Sequence, residues 1–215
     1  MATASSKRTR VRRVPARGVY ERDSIEAILD ATLVSHIGFV ADGQPYVIPT
    51  LHARIDDTLY VHGSAASRML RVLEKGADVC VTATLVDGLV LARSAFHHSI
   101  NYRSVVVLGE ARLVAPEAER LRALELFTEK LVPGRWAEVR SPSKQELKGS
   151  KVLALSLDEA SAKVRSGPPV DDEPDYDLPV WAGVVPLATE VGVPEPDPRL
   201  DPATPVPEHV ASWRP

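Results

Sequence analysis

Arg93, Ser94, His97, His98, Ser99, Asn101, Tyr102, Arg103 and Ser104 stand together between two apolar runs, Leu89 to Ala92 and Val105 to Leu108. Guanidinium groups bind phosphates and carboxylates, asparagine pairs with ring carbonyl or imide edges, and tyrosine stacks or donates, so the set suits an anionic, aromatic ligand. A surface network of arginines with acidic neighbours is the plainer alternative, and spacing leaves both open. Polar groups held between two core strands lose water, which costs free energy unless a partner satisfies them. A second set lies in His62-Gly63-Ser64-Ala65-Ala66-Ser67-Arg68: a glycine that permits close backbone approach, two hydroxyls, a cation, and amides at a helix start. All of these attract anions. The spacing is not that of a P-loop, and on the residues alone a serine-capped helix is the simpler reading.

Other chemistries find less support. His97-His98, with His52 and His62, invites a metal reading, but adjacent histidines on an extended strand point to opposite faces and no HExxH or Cys/His spacing occurs, so no metal is expected. No GxSxG elbow or paired nucleophile and base supports a hydrolase. The single cysteine, Cys80, lies in a strand-like run, which excludes an intramolecular disulfide and fits a reducing, cytoplasmic setting. A formal net charge of -3 argues against a dedicated nucleic-acid binder. No apolar run reaches the ~20 residues that span a bilayer, so no membrane partner is expected.

The elements that must position these residues follow from hydrophobic periodicity. Residues 1–17, with Lys7, Arg8, Arg10, Arg12, Arg13 and Arg17, read as a basic, solvated, flexible arm. Asp23-Ser24-Ile25-Glu26 predicts a helix start, with Ile25, Ile28, Leu29 and Leu33 at helical spacing. Ser35 to Ala41 and Gln44 to Ile55 predict a hairpin about Asp42-Gly43. Pro49 within the second strand removes a ladder donor, so an edge or bulge is expected there, with the Thr50 amide free to face a ligand. Leu59 to His62 predicts a strand, and Gly63-Ser64 the opening of a helix that carries Met69, Leu70 and Leu73. Val79 to Val86, which contains Thr84, and Leu89 to Ala92 predict a hairpin or one sharply bent strand about Asp87-Gly88. Pro116 at a first helical position predicts a helix ending before Pro133-Gly134, Ser143 with Glu146 a capping box, and Lys151 to Leu157 the last barrel strand. Residues 18–166 thus form one domain. Residues 167–215, where prolines and acids thicken, read as an extended C-terminal arm that wraps a partner subunit.

The stretch TATLVDGLVLARSAFHHSINYRSVVVLGEA resembles the central signature of flavin-nucleotide-binding proteins related to pyridoxamine 5'-phosphate oxidase, including the nitroimidazole-reductase-like branch. The resemblance extends from roughly Val11, through HGS at His62 to Ser64, to WAGVVPL at Trp181 to Leu187. It implies a mainly β protein with short helices, a six-stranded, mostly antiparallel FMN-binding split β-barrel that pairs as a homodimer with each flavin between subunits. The implied FMN pocket draws on Pro49, Thr50, His62, Gly63, Ser64, Ser67, Arg68, Thr84, Arg93, His97, His98, Asn101, Tyr102, Arg103, Ser104 and Trp181. Arg68 and Arg103 are expected on the phosphate, and Trp181 either covers the partner's flavin or plugs the barrel end. The implied reaction is flavin-mediated redox on a small-molecule substrate, with no acid or base assignable. The substrate-phosphate residues of pyridoxamine phosphate oxidase near the C-terminus find no match, which speaks against vitamin B6 oxidation. The rival reading is a non-catalytic haem- or flavin-binding module, with His62, His97 or His98 as axial ligands.

Overall fold

The computed structural model describes residues 2–214. Alternating hydrophobicity builds the sheet. Strand β2 (Val34–Ala41) turns into β3 (Gln44–Ile55) through Asp42 and Gly43, whose φ angles of 52° and 77° make the turn that matches strand twist. β3 then pairs with β4 (Thr58–Ser64) only from His52 onward. Gln44 to Leu51 therefore has a single neighbour, β2, and Pro49 sits on an edge, as expected.

Asp78–Leu91 is one long strand, β5, and not a hairpin. Its register against β6 (Ser99–Glu110) shifts between Val86 and Gly88, leaving Asp87 as the extra residue of a bulge. The glycine is required because the short strand β10 (Gly183–Pro186) crosses over it: a Cβ on Gly88 would lie 3.0 Å from both Val184 and the Val185 carbonyl. Ten strands form among the described residues, four more than expected. β1 (Gly18–Val19), β7 (Arg112–Leu113), β8 (Ser150–Ser156) and β9 (Ala160–Arg165) complete the order β1-β9-β6-β5-β2-β3-β4-β8-β7, with β10 on β5. β1 and β7 end the order without pairing with each other, so the antiparallel sheet stays open as a split barrel. Lys151 to Leu157 is therefore not the last strand. β9 reads ASAKVR, with one β-branched residue and two cations, and gives little strand signal.

The inner face is built from Ile37, Phe39, Val79, Val81, Ala83, Val105, Val107 and Ala162. Helix α1 (Arg22–Ala31) covers it with Ile25, Ile28 and Leu29, and α2 (Arg68–Leu73) with Met69, Leu70 and Leu73. Each fully buried leucine contributes roughly 1.5–3 kcal/mol. A smaller core lies on the other side, where α3 (Glu117–Leu131) sets Ala123 and Phe127 against Ala53, Tyr60, Val152 and Ala154. Helix ends differ from expectation in detail. Glu21, not Asp23, is the N-cap of α1, and Pro116 precedes α3 as its N-cap. Ser143 and Glu146 do form the capping box of α4 (Lys144–Gly149).

The basic start is held in several places. Arg8 pairs with Glu159 and Asp78, Thr9 is buried, and the Val11 amide donates to the Tyr20 hydroxyl at 2.9 Å. Among the described residues no helix is long and apolar enough to cross a membrane.

Candidate functional site

The face of the sheet opposite the main core carries much of the predicted set. Alternation that buries Ile37, Phe39, Val81 and Ala83 turns Val34, His36, Val40, Thr84 and Val86 outward. In register, Pro49 lies opposite His36 and His36 opposite Thr82, while Thr84 faces Ser104 and Val86 faces Tyr102. Val34, Val40, Val47 and Val86 are all exposed there, with Val47 at 64%. An apolar patch of this kind, interrupted by hydroxyls and one imidazole, is the ordinary form of a binding surface. Thr50, half-buried, pairs with buried Ser35 and so points to the inner face, away from this patch.

At the end of β5 the chain bends through Arg93 to His98. The Arg93 amide donates to Asp171 at 3.0 Å, and its guanidinium reaches the same carboxylate at 3.1 Å while lying over the Tyr176 ring at 5.0 Å. Burial pushes the Asp171 carboxyl up, but the hydrogen bonds from Arg93 outweigh it and hold the pKa below the ordinary value. Arg93 thus clamps the C-terminal segment and is not free for a ligand. The Ser94 hydroxyl meets His97 Nδ1 at 2.7 Å, and His98 Nδ1 donates to the Ser94 carbonyl at 2.9 Å, which leaves His98 Nε2 with a free lone pair. Donor atoms of His97, Asp171 and Asp175 lie within 4.8 Å of one another, although at Asp171 the Arg93 guanidinium already answers the negative charge. Asn101, buried, donates to the Gly167 carbonyl at 3.1 Å and accepts from Arg165.

The His62 to Arg68 junction is built differently from expectation. β4 runs through Ser64, so Gly63 and Ser64 end a strand, and α2 starts only at Arg68 with Ser67 as an N-cap whose side chain does not cap. The Ser64 hydroxyl accepts the Ala66 amide at 3.2 Å. His62 packs on Phe127 with ring centroids 4.2 Å apart, its Nδ1 is buried without a partner, and burial lowers its pKa. Arg68 lies over the Tyr46 ring at 4.9 Å.

A single chain does not bring Arg68 and Arg103 to one phosphate. Tyr46 stands opposite Phe39 and Phe39 opposite Val79, whereas Arg103 stands opposite Leu85. Six residues of β5 separate the two rows, roughly 20 Å. Arg103 is also engaged: it forks onto Asp87 at 3.0 and 2.7 Å, which raises its pKa further. Ser104 donates to the Lys163 carbonyl at 3.2 Å. Trp181, 66% exposed, does not plug the barrel; its ring folds back over Gly183.

Sequence reasoning missed His36, Arg17, Lys163 and Arg165. His36 is outward and exposed, with no hydrogen-bond partner among the described residues. Lys163 and Arg165 share the outer face of β9, and Arg17 directly precedes its neighbour β1; only recognition of β9 as a strand would have exposed this.

Residues 21–164 match the family described as pyridoxamine 5'-phosphate oxidase. The chain belongs to the pyridoxamine 5'-phosphate oxidase family. Every predicted site residue except Trp181 falls within the span matched to this family, whereas Arg17, Arg165 and Asp171 lie just outside it. Among solved structures, the chain is similar to the flavocytochrome Anf3 from Azotobacter vinelandii, at 45% identity over 99% of both chains with a TM-score of 0.94. It is also similar to an FAD and haem binding protein from Mycobacterium smegmatis, at 36% identity over 90% of this chain and 95% of that one, TM-score 0.87. A candidate 5-nitroimidazole antibiotic resistance protein from Bacteroides thetaiotaomicron shares the fold, at 23% identity over 68% of this chain and 86% of that one, TM-score 0.58. No curated protein matches the chain.

Proposed function

We propose that the chain is a flavin- and haem-binding redox protein of flavocytochrome type, acting as a homodimer, with FAD in place of the FMN expected from the sequence. The observation that carries this reading is the 45% identity to flavocytochrome Anf3 over essentially both whole chains. The 36% identical relative named for FAD and haem supports the same pair of cofactors.

The outer face has groups of the right kind for both. For a flavin, Thr84, Ser104 and Tyr102 offer hydroxyls beside exposed Val86, so a ring system would find apolar area with polar groups at its edge. For a haem iron, His36 and His98 present imidazole nitrogens that no protein group occupies, and exposed Val34 and Val47 share the face of His36. His62, by contrast, is packed on Phe127 and fits axial ligation poorly. Bound flavin supplies one- and two-electron transfer and haem one-electron transfer. The chain's own residues then place the rings, exclude water with the apolar face, and hold the His98 tautomer through the Ser94 carbonyl. A partner subunit would cover the exposed apolar patch, and Trp181 and the C-terminal segment are poised at the same edge through β10.

The test is chemical identification of what the purified protein carries. Heat-released flavin examined by mass spectrometry should be FAD, and the pyridine haemochrome assay should find haem in the same preparation. FMN without haem would replace this reading with that of an FMN-dependent oxidoreductase, and neither cofactor, even after supplementation, would refute both.

A further inference from the structure

Several arginines have a carboxylate: Arg8 has Glu159, Arg54 has Asp30, Arg93 has Asp171, Arg103 has Asp87, Arg112 has Glu119 and Arg140 has Glu146. Half-buried Arg120, with an orphaned Nε, and the more deeply buried Arg165 do not. Arg165 is only 8% exposed, yet no carboxylate of the described residues lies within ion-pair distance. Its guanidinium donates to the Asn101 side chain and, at 3.5 and 3.4 Å, to the Gly167 and Pro168 carbonyls, while Nε is buried without any partner. Carbonyl contacts of that length are weak, and an uncompensated buried charge is costly.

Two further cations adjoin it. Lys163 shares the outer face of β9 with Arg165, two residues away, and Lys163 pairs in register with Gly18, directly after Arg17. Neither forms an ion pair among the described residues. Burial, and then the charge of Arg17, hold the Arg165 pKa below the ordinary arginine value, so the cations repel one another. Tyr102 stands opposite Arg165 and completes the wall. Gly167, at a φ of 94° that favours glycine, turns the chain back over the guanidinium, and the Arg93–Asp171 clamp fixes the far end of this cover.

We infer that Arg165, Arg17 and Lys163 form a binding site for a phosphoryl group, closed over by residues 167–170. Three neighbouring cations call for more than one negative charge, which a phosphate or pyrophosphate carries and a single carboxylate does not. The inference stands on this charge geometry. It also deepens the flavin reading, since the site would take the phosphates assigned from the sequence to Arg68 and Arg103.

The experiment measures the affinity of the full chain for inorganic pyrophosphate, FAD and riboflavin by calorimetry, in wild type, Arg17→Ala, Lys163→Ala and Arg165→Ala, with circular dichroism to confirm folding. Each variant should lose ~10- to 100-fold in affinity for pyrophosphate and for FAD, with riboflavin unchanged. Loss for pyrophosphate alone, with FAD unaffected, supports the site with free phosphate as its ligand. If wild type binds pyrophosphate but no flavin, the site stands and the flavin reading falls. Equal loss for riboflavin, undiminished affinity in the variants, or no binding of either phosphate ligand by wild type overturns the inference. If Arg165→Ala does not fold, Arg17→Ala and Lys163→Ala decide by the same criteria.

Discussion

Arg93 and Arg165 lie at the two ends of one covering segment, and they meet opposite electrostatic surroundings. Arg93 forks between its own amide and guanidinium onto Asp171, whose side chain has no exposed surface, and stacks on Tyr176. Arg165, more buried as a residue, has one amide side chain, two distant carbonyls and no carboxylate, and the Nε of each arginine is buried without a partner. A charge answered from within the fold is explained by the fold. A charge left unanswered points to something outside it, and the contrast separates the clamp from the ligand-facing wall more sharply than the types of the residues do.

Removing the clamp should therefore act on stability first. Asp171→Ala leaves the Arg93 guanidinium without its carboxylate and frees the 167–170 cover, and thermal melting should fall by roughly 10 °C. A variant that melts within a degree of wild type would erase the distinction drawn between the two arginines.

A buried imidazole beside a cation extends the comparison to pH. The His52 ring, wholly buried, has Nε2 2.8 Å from the Leu29 carbonyl and 3.1 Å from Lys130 Nζ. Burial and the Lys130 charge lower its pKa to about 4, against 6.5 for the free group. The unfolded chain takes up this proton near pH 6.5 and the folded chain only near 4. Stability from His52 is therefore complete above pH 6.5 and is lost as pH falls from 6.5 towards 4, by about 3 kcal/mol. Urea denaturation across that interval should show the decline, and His52→Gln should flatten it.

Smaller effects should come from the arginines that are already occupied. Arg68 rests on Tyr46 and Arg103 on Asp87, so Arg68→Ala and Arg103→Ala should each change FAD affinity less than about threefold. A tenfold loss in either, with riboflavin affinity kept, would return the phosphate to the position first read from the sequence.

The sequence carried the fold well where patterns were local. Asp42-Gly43, Pro49 on its edge and the Ser143–Glu146 capping box each depend on a few adjacent residues, and each formed. It failed where position depends on pairing at a distance. The Asp87-Gly88 dipeptide left a hairpin and one bent strand both open, and only pairing with β6 and β10 decides for a bulge in one strand. The short strands β1, β9 and β10 have weak local signals and exist because neighbouring edges accept their hydrogen bonds. The same limit applies to the site. Thr84, Tyr102 and Ser104 lay in an evident polar stretch, whereas His36 and Arg165 acquire meaning only from register, and the pairing of Arg93 and Arg103 with acids 78 and 16 residues away was invisible to spacing.

The central claim is that the outer face of β5 and β6 holds the flavin. Thr84 is exposed there, opposite Ser104, and a tryptophan at this position would fill the face without entering the core. FAD titration of Thr84→Trp, followed by quenching of flavin fluorescence, tests the claim directly. The account predicts loss of FAD uptake with a melting temperature of the apoprotein within ~2 °C of wild type. A Thr84→Trp protein that binds FAD as wild type does would contradict it.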